Sequence, residues 1–250
     1  MTPADVLRAL DGFTWTDEDG ERMTCRVTPP PPPAELAALE ARLGGALPAD
    51  ARDLLAVGRG LDGGPLEAID FAGALDDGLE TELFPSALPI AHDGFGNFWV
   101  VERQPGAATW GPVYYVAHDP AVAVYQGPDL ADFLAGLRGL MEPPYRGPLD
   151  EVHEAASARI WHEHPGAVPQ PEALQSADPA VRAFAASLGP EWWVVDLRTA
   201  RRGDGLAWGR FGPRTRLRRA GSLPLFGYGP PPREPSWWRR LWGGRRAAAT

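Results

Sequence analysis

Residues 83–134 read LFPSALPIAHDGFGNFWVVERQPGAATWGPVYYVAHDPAVAVYQGPDLADFL. A strand runs into a glycine turn, His92-Asp93-Gly94-Phe95-Gly96-Asn97, and returns as Phe98-Trp99-Val100-Val101. Glycine takes up the backbone conformations that a tight turn demands, while aromatic and β-branched residues suit the pleated surface on either side. A second aromatic strand, Gly111-Pro112-Val113-Tyr114-Tyr115-Val116, ends at His118-Asp119. A short amphipathic helix, Asp129 to Leu137, closes the unit. This stretch predicts paired strands backed by a helix.

Toward the N-terminus, residues 2–11 read as a helix with Thr2 as N-cap and Pro3 at its first position. Segments 13–16 and 23–27 read as strands joined across Asp17-Glu18-Asp19-Gly20, with Cys25 as a small core residue. The run Pro29 to Pro33 is a stiff connector into a helix over Ala34–Leu43, ended by Gly44-Gly45. A further helix, Ala49–Val57, stops at Gly58-Arg59-Gly60. Residues 61–83 form a glycine- and acid-rich loop with little periodicity.

Toward the C-terminus, the prolines and glycine of 142–148 mark a boundary. Helices are predicted over Asp150–Trp161 and Pro179–Leu188, and a strand over Glu191–Leu197. Gly203-Asp204-Gly205 turns that strand into Leu206–Phe211, with further strands over Arg214–Arg218 and Leu223–Tyr228. Too few helices flank this meander to cover it, so it is expected to pack on the first unit or extend its sheet. Pro230-Pro231-Pro232 opens a tail. The predicted organisation is a domain over 1–145, an α+β extension over 146–229 packed on it, and a Pro/Trp/Arg-rich tail over 230–250.

The hairpin, the GPVY and HD segments at 111–119 and the closing helix resemble the SMI1/KNR4 (SUKH) family. So do Pro33-Ala34-Glu35-Leu36-Ala37-Ala38-Leu39-Glu40 and the following Leu47-Pro48-Ala49-Asp50-Ala51-Arg52-Asp53-Leu54-Leu55. The resemblance covers Phe13 to Met141. It implies an α+β fold with a mixed, mainly antiparallel sheet flanked by helices, to which the C-terminal part adds a helix pair and a strand meander. It also implies a binding scaffold rather than an enzyme, with no cofactor. Many bacterial members resemble immunity proteins that bind and block a cognate toxin domain.

The chain has 250 residues, a single cysteine and 44% hydrophobic residues, which suits a globular protein of a reducing compartment. No run is long enough for a membrane span and no secretory signal is visible, so a cytoplasmic location is expected. All 24 basic residues are arginine, the composition of a GC-rich bacterial genome. From Asp196 onward, 13 arginines face three acids; the rest holds 11 arginines and 30 acids. Such polarity implies two surfaces with different partners, or one that answers the other within the molecule.

The acids Asp62, Glu67, Asp70, Asp76, Asp77, Glu80 and Glu82 stand without a basic residue between 61 and 83. They predict a docking surface for a basic protein such as a toxin domain, with Asp93 and Glu102 as additions. In the tail, Trp237, Trp238 and Trp242 interleave with Arg239, Arg240, Arg245 and Arg246. That pattern suits contact with an anionic membrane surface, the basis of an alternative role as a recruited scaffold. His92-Asp93 and His118-Asp119 resemble the His-Asp dipeptide of metal-dependent hydrolases, a second alternative, although Asp93 reads more simply as a turn former. His153, His162, Glu163 and His164 match no zinc spacing. No nucleophile motif or phosphate loop is present.

Overall fold

The computed structural model describes residues 1–17, 19–75, 83–85, 87–103 and 109–232. Helix α1 (Pro3–Leu10) starts in a capping box: Thr2 Oγ1 accepts the Asp5 N–H at 3.2 Å while Asp5 returns to the Thr2 backbone. Strands β1 (Thr14–Thr16) and β2 (Arg22–Thr24) form the expected hairpin. The strand predicted over 23–27 breaks at Cys25, and β3 (Arg26–Thr28) pairs instead with β4 (Gly60–Asp62). Cys25 is held out of the ladder because its N–H bonds to Phe13 O at 2.8 Å and its thiol is buried 3.5 Å from Met141 Sδ. Helices α2 (Pro33–Arg42) and α3 (Ala49–Val57) lie where the sequence predicts them.

The 61–83 segment is not the strandless loop predicted. It contains part of β4 and then β5 (Ala68–Ile69), which joins the edge of the main sheet. Close backbone approach makes this possible: a Cβ on Gly60 would lie 2.0 Å from Ile69 O.

The main sheet is built from β6 (Ala87–His92), β7 (Phe98–Glu102), β8 (Val113–His118) and β9 (Ala121–Gly127), all antiparallel. Helix α4 (Leu130–Met141) follows, with Asp129 accepting the Asp132 N–H at 2.9 Å. It runs one turn beyond the predicted end at Leu137. Strand alternation divides the side chains between two cores. Trp99, Val101, Tyr115, Ala117, Val122 and Val124 join Leu7, Leu54 and Phe133 of the helices. Val100, Tyr114, Val116 and Ala123 point the other way.

What covers that second face comes from the C-terminal part. The helix predicted over Asp150–Trp161 is three pieces: α5 (Pro148–Glu151), a π-helical turn (Val152–Ala156) and α6 (Ser157–Glu163). Leu149, Val152, Ala156 and Ile160 enter the first core. Next come β10 (Ala167–Pro169), α7 (Gln170–Ala173), α8 (Pro179–Ala186), β11 (Trp193–Asp196), β12 (Gly205–Leu206), β13 (Arg216–Arg219) and β14 (Leu225–Gly229). A second antiparallel sheet in the order β10-β11-β14-β13 lays Val195, Leu217, Phe226 and Tyr228 on the second face of the main sheet. Its outer face carries Phe184, Ala185 and Leu188 of the α8 region. Each large apolar side chain so buried contributes about 1.5–3 kcal/mol.

The predicted hairpin across Gly203–Gly205 does not form. Strand β12 is only two residues long, crosses to the main sheet and pairs with β9, giving the order β12-β9-β8-β7-β6-β5. Arg202 fixes the crossing, with Nε on Gln126 O at 2.8 Å and Nη2 on Asp132 Oδ2 at 2.6 Å. Strand β14 takes the place beside β11.

Candidate functional site

The turn between β6 and β7 is organised by one carboxylate. Asp93 Oδ1 accepts the N–H of Phe95 at 2.8 Å and of Asn97 at 3.2 Å, and Oδ2 accepts Asn97 Nδ2 at 2.7 Å. Gly94 and Gly96 have φ of 82° and 86°, which a side chain would resist. The turn projects Phe95 outward, leaving it 79% exposed. His92 Nδ1 accepts the Gly94 N–H at 3.1 Å, and Asn97 Oδ1 accepts the His118 N–H at 3.2 Å.

His153 reaches this turn from the π-helical segment. Its Nε2 lies 3.2 Å from Asp93 Oδ2, and its ring stacks on Trp99 with centroids 6.2 Å apart and an interplanar angle of 14°. The wider helical turn has its own side-chain support: Ser157 Oγ donates to Val152 O at 3.0 Å. Such π turns recur where a helix must aim a side chain at a site. Burial disfavours ionised Asp93, but the hydrogen bonds from Asn97, Phe95 and His153 outweigh it and hold its pKa below the ordinary aspartate value.

Above this floor opens a cleft of about 710 Å³. Trp15, Thr16 and Asp17 of the first hairpin form one wall, and Pro65 and Leu66 another. Phe95, Leu140 and Tyr145 add apolar rim, while Asp150, His153 and Glu154 come from α5 and the π turn. Trp15 is anchored by its Nε1 donating to Gly63 O at 3.0 Å. Tyr145 adopts a left-handed φ of 58° and is 49% exposed. Among the described residues, four carboxylates (Asp17, Asp93, Asp150 and Glu154) line the cleft and no arginine does.

The residues singled out from sequence meet different fates. Asp62 and Glu67 are exposed, and Glu67 lies against the 93–97 turn, where a Cβ on Gly94 would touch its side chain at 3.4 Å. Asp70 is engaged within the fold: Oδ2 accepts Arg59 Nε at 2.8 Å, and Oδ1 accepts the Ala72 and Ala74 N–H groups. Asp76, Asp77, Glu80, Glu82, Trp237, Trp238, Arg239, Arg240, Trp242, Arg245 and Arg246 lie outside the described residues.

Two additions need correction as exposed contacts. The Asp93 side chain is 8% exposed and serves the turn and the cleft floor. Glu102 is 6% exposed and ion-paired with Arg219, itself 4% exposed. Burial raises the Glu102 pKa against the opposing pull of Arg219. Arg219 also donates to Leu83 O at 2.9 Å and to Leu223 O at 2.8 Å. Together with the Arg202–Asp132 contact, this pair shows basic C-terminal residues answering acids of the N-terminal part.

Among the described residues, no group of three or more His, Cys, Asp and Glu is arranged to hold a metal. His92 and His118 are occupied with the turn, and His164 caps α6 in a left-handed conformation. No described helix is long and apolar enough to cross a membrane. Sequence reasoning missed Trp15, Phe95, Tyr145, Asp150 and Glu154 as cleft residues. A signal existed for Phe95, since an aromatic flanked by two turn glycines has no strand face on which to bury.

A family model described as SMI1 / KNR4 family (SUKH-1) matches residues 30–136. No curated protein and no solved structure matches the chain. The matched span supplies Pro65, Leu66, Asp93, Phe95 and Trp99 to the cleft, whereas Trp15, Asp17, Tyr145, Asp150 and Glu154 lie on either side of it.

Proposed function

Residues 30–136 being an SMI1/KNR4 (SUKH-1) domain, we propose that the chain is a non-enzymatic protein-binding module of the immunity type, which neutralises a cognate toxin by occupying it. The observation that carries this reading is the open cleft whose rim holds Phe95 and Tyr145. Aromatic side chains that water surrounds in the free protein are the usual anchors of an interface, because covering them releases a large apolar area. Exposed Asp62 and Glu67 on the segment beside the cleft extend its negative field, which speeds encounter with a basic partner. The lone cysteine, buried at Cys25, accords with work in the cytoplasm.

Co-expression tests this. A candidate toxin domain, taken from any such gene found beside this one, is induced with and without the chain. Restored growth, together with co-elution of the two proteins, is the expected result; toxicity undiminished by a folded, abundant chain would overturn the reading. The scaffold alternative rests on the composition of 236–246 and is tested by co-sedimenting the full chain with anionic vesicles, against a variant with Trp237, Trp238 and Trp242 changed to Ala.

A further inference from the structure

We infer that the cleft receives an arginine-bearing segment of the partner protein, its guanidinium groups set against the aromatic rim and the lining carboxylates. This deepens the protein-binding reading and rests on it. The argument begins with charge. Every basic residue of this chain is arginine, and among the described residues no arginine lines the cleft, although four carboxylates do. Elsewhere the described acids find arginine readily: Asp70 takes Arg59, Asp132 takes Arg202, Asp178 and Asp196 share Arg198, and Glu102 takes Arg219. Asp93 is engaged by His153 and the turn, but Asp17, Asp150 and Glu154 meet no arginine among the described residues, so cationic complementarity at these three is left open to a partner.

The rim decides which cation. Trp15, Phe95 and Tyr145 offer aromatic faces beside Asp150 and Glu154. Guanidinium is planar and weakly hydrated, so it stacks on aromatic faces while donating to carboxylates; ammonium is a strongly hydrated point charge that gains less from such a wall. The chain itself uses this pairing, with the Arg216 guanidinium 4.9 Å from the Trp192 ring centroid and its Nη2 on Glu191 Oε1 at 2.5 Å. A volume of about 710 Å³ exceeds one side chain and suits several neighbouring residues of a segment.

The test uses the full chain and a fluorescent 12-residue peptide alternating arginine and leucine, with matched peptides carrying lysine, citrulline or glutamate in place of arginine. Fluorescence anisotropy is read at low and high salt. The arginine peptide is expected to bind about tenfold tighter than the citrulline peptide, a difference of about 1.4 kcal/mol, and to lead the lysine peptide. The double variant Asp150→Asn/Glu154→Gln should lose about tenfold and Phe95→Ala a similar factor, while Glu172→Gln on α7 changes nothing. Because Phe95 sits exposed on a turn held by Asp93, its loss should leave the fold intact, and circular dichroism of each variant checks this.

Equal binding of the arginine and citrulline peptides, or no loss in the cleft variants, overturns the inference. So does binding that emerges only after Arg239, Arg240, Arg245 and Arg246 are changed to Gln, which would assign the cleft to the chain's own C-terminus. If the cleft variants still neutralise the toxin, the inference falls while the protein-binding reading stands. If the arginine peptide docks as described but no toxin is neutralised, the inference stands with the protein-binding reading and the toxin-neutralising role falls.

Discussion

Asp93 and Glu102 flank the same strand, β7, yet they are satisfied in opposite ways. Asp93 collects hydrogen bonds from residues two and four positions along the chain, and one from His153. Glu102 depends on Arg219, which arrives from β13 of the other sheet. The first carboxylate builds a turn whose hydrogen bonds lower its pKa; the second joins two layers, and burial raises its pKa against the pull of Arg219. A local acid shapes the surface around it, whereas a distant pair ties the extension to the domain beneath.

The sharpest way to break this contrast is Arg219→Ala. It leaves a buried carboxylate without its cation and removes donors to three carbonyls, so a loss of about 3–5 kcal/mol is expected in urea unfolding. The double change Glu102→Leu/Arg219→Met should recover much of that loss, as a buried pair replaced by apolar residues of similar volume often does. Asp93→Ala should cost less, about 1–3 kcal/mol, because the freed N–H groups of a surface turn can partly turn to water.

Acid separates the two further. The folded-state pKa of Asp93 lies below its unfolded value, so its contribution is present above about pH 4 and is lost as pH falls through the folded pKa. The Asp93→Asn variant should therefore approach the parent in stability toward pH 3. Glu102 has the opposite sign: its raised pKa means the folded chain takes up that proton first, and its own contribution grows as pH falls from neutrality toward the unfolded value. Unfolding midpoints of both single variants between pH 3 and 7 report the difference.

The smallest effect is expected from Tyr114→Phe. Its hydroxyl is buried without a hydrogen-bond partner among the described residues, so removing it should change stability by less than about 1 kcal/mol. A larger loss would reveal a partner for that hydroxyl and tie Tyr114 into the Glu102 side of the comparison.

The same distinction explains what the amino-acid sequence discloses. The β6–β7 turn, the Thr2 N-cap of α1 and the bounds of α3 rest on neighbours in the chain, and the pattern of residues reveals them. Strand β9 (Ala121–Gly127) went unrecognised because, buried in mid-sheet, it lacks the apolar–polar alternation of a half-exposed strand. Strand β12 is two residues held by Arg202 and by pairing with β9, neither of which a local pattern encodes. The cleft was harder still. Its walls come from residues 15–17, 65–66, 93–99 and 140–154, brought together only when α4 and the π turn pack on the sheet. The acids of the 62–82 loop stood out by density, but Asp70 serves Arg59, and the carboxylates of the cleft are scattered along the chain.

The main sheet ends, among the described residues, in β5 on one side and β12 on the other, each two residues long. Such brief edges offer almost no ladder of free N–H and C=O groups to a passing strand. At β5 and β12 a second copy or a partner strand finds little to pair with, whereas the second sheet keeps longer edges at β10 and β13. At these two ends of the main sheet recognition falls to side chains rather than to the backbone ladder.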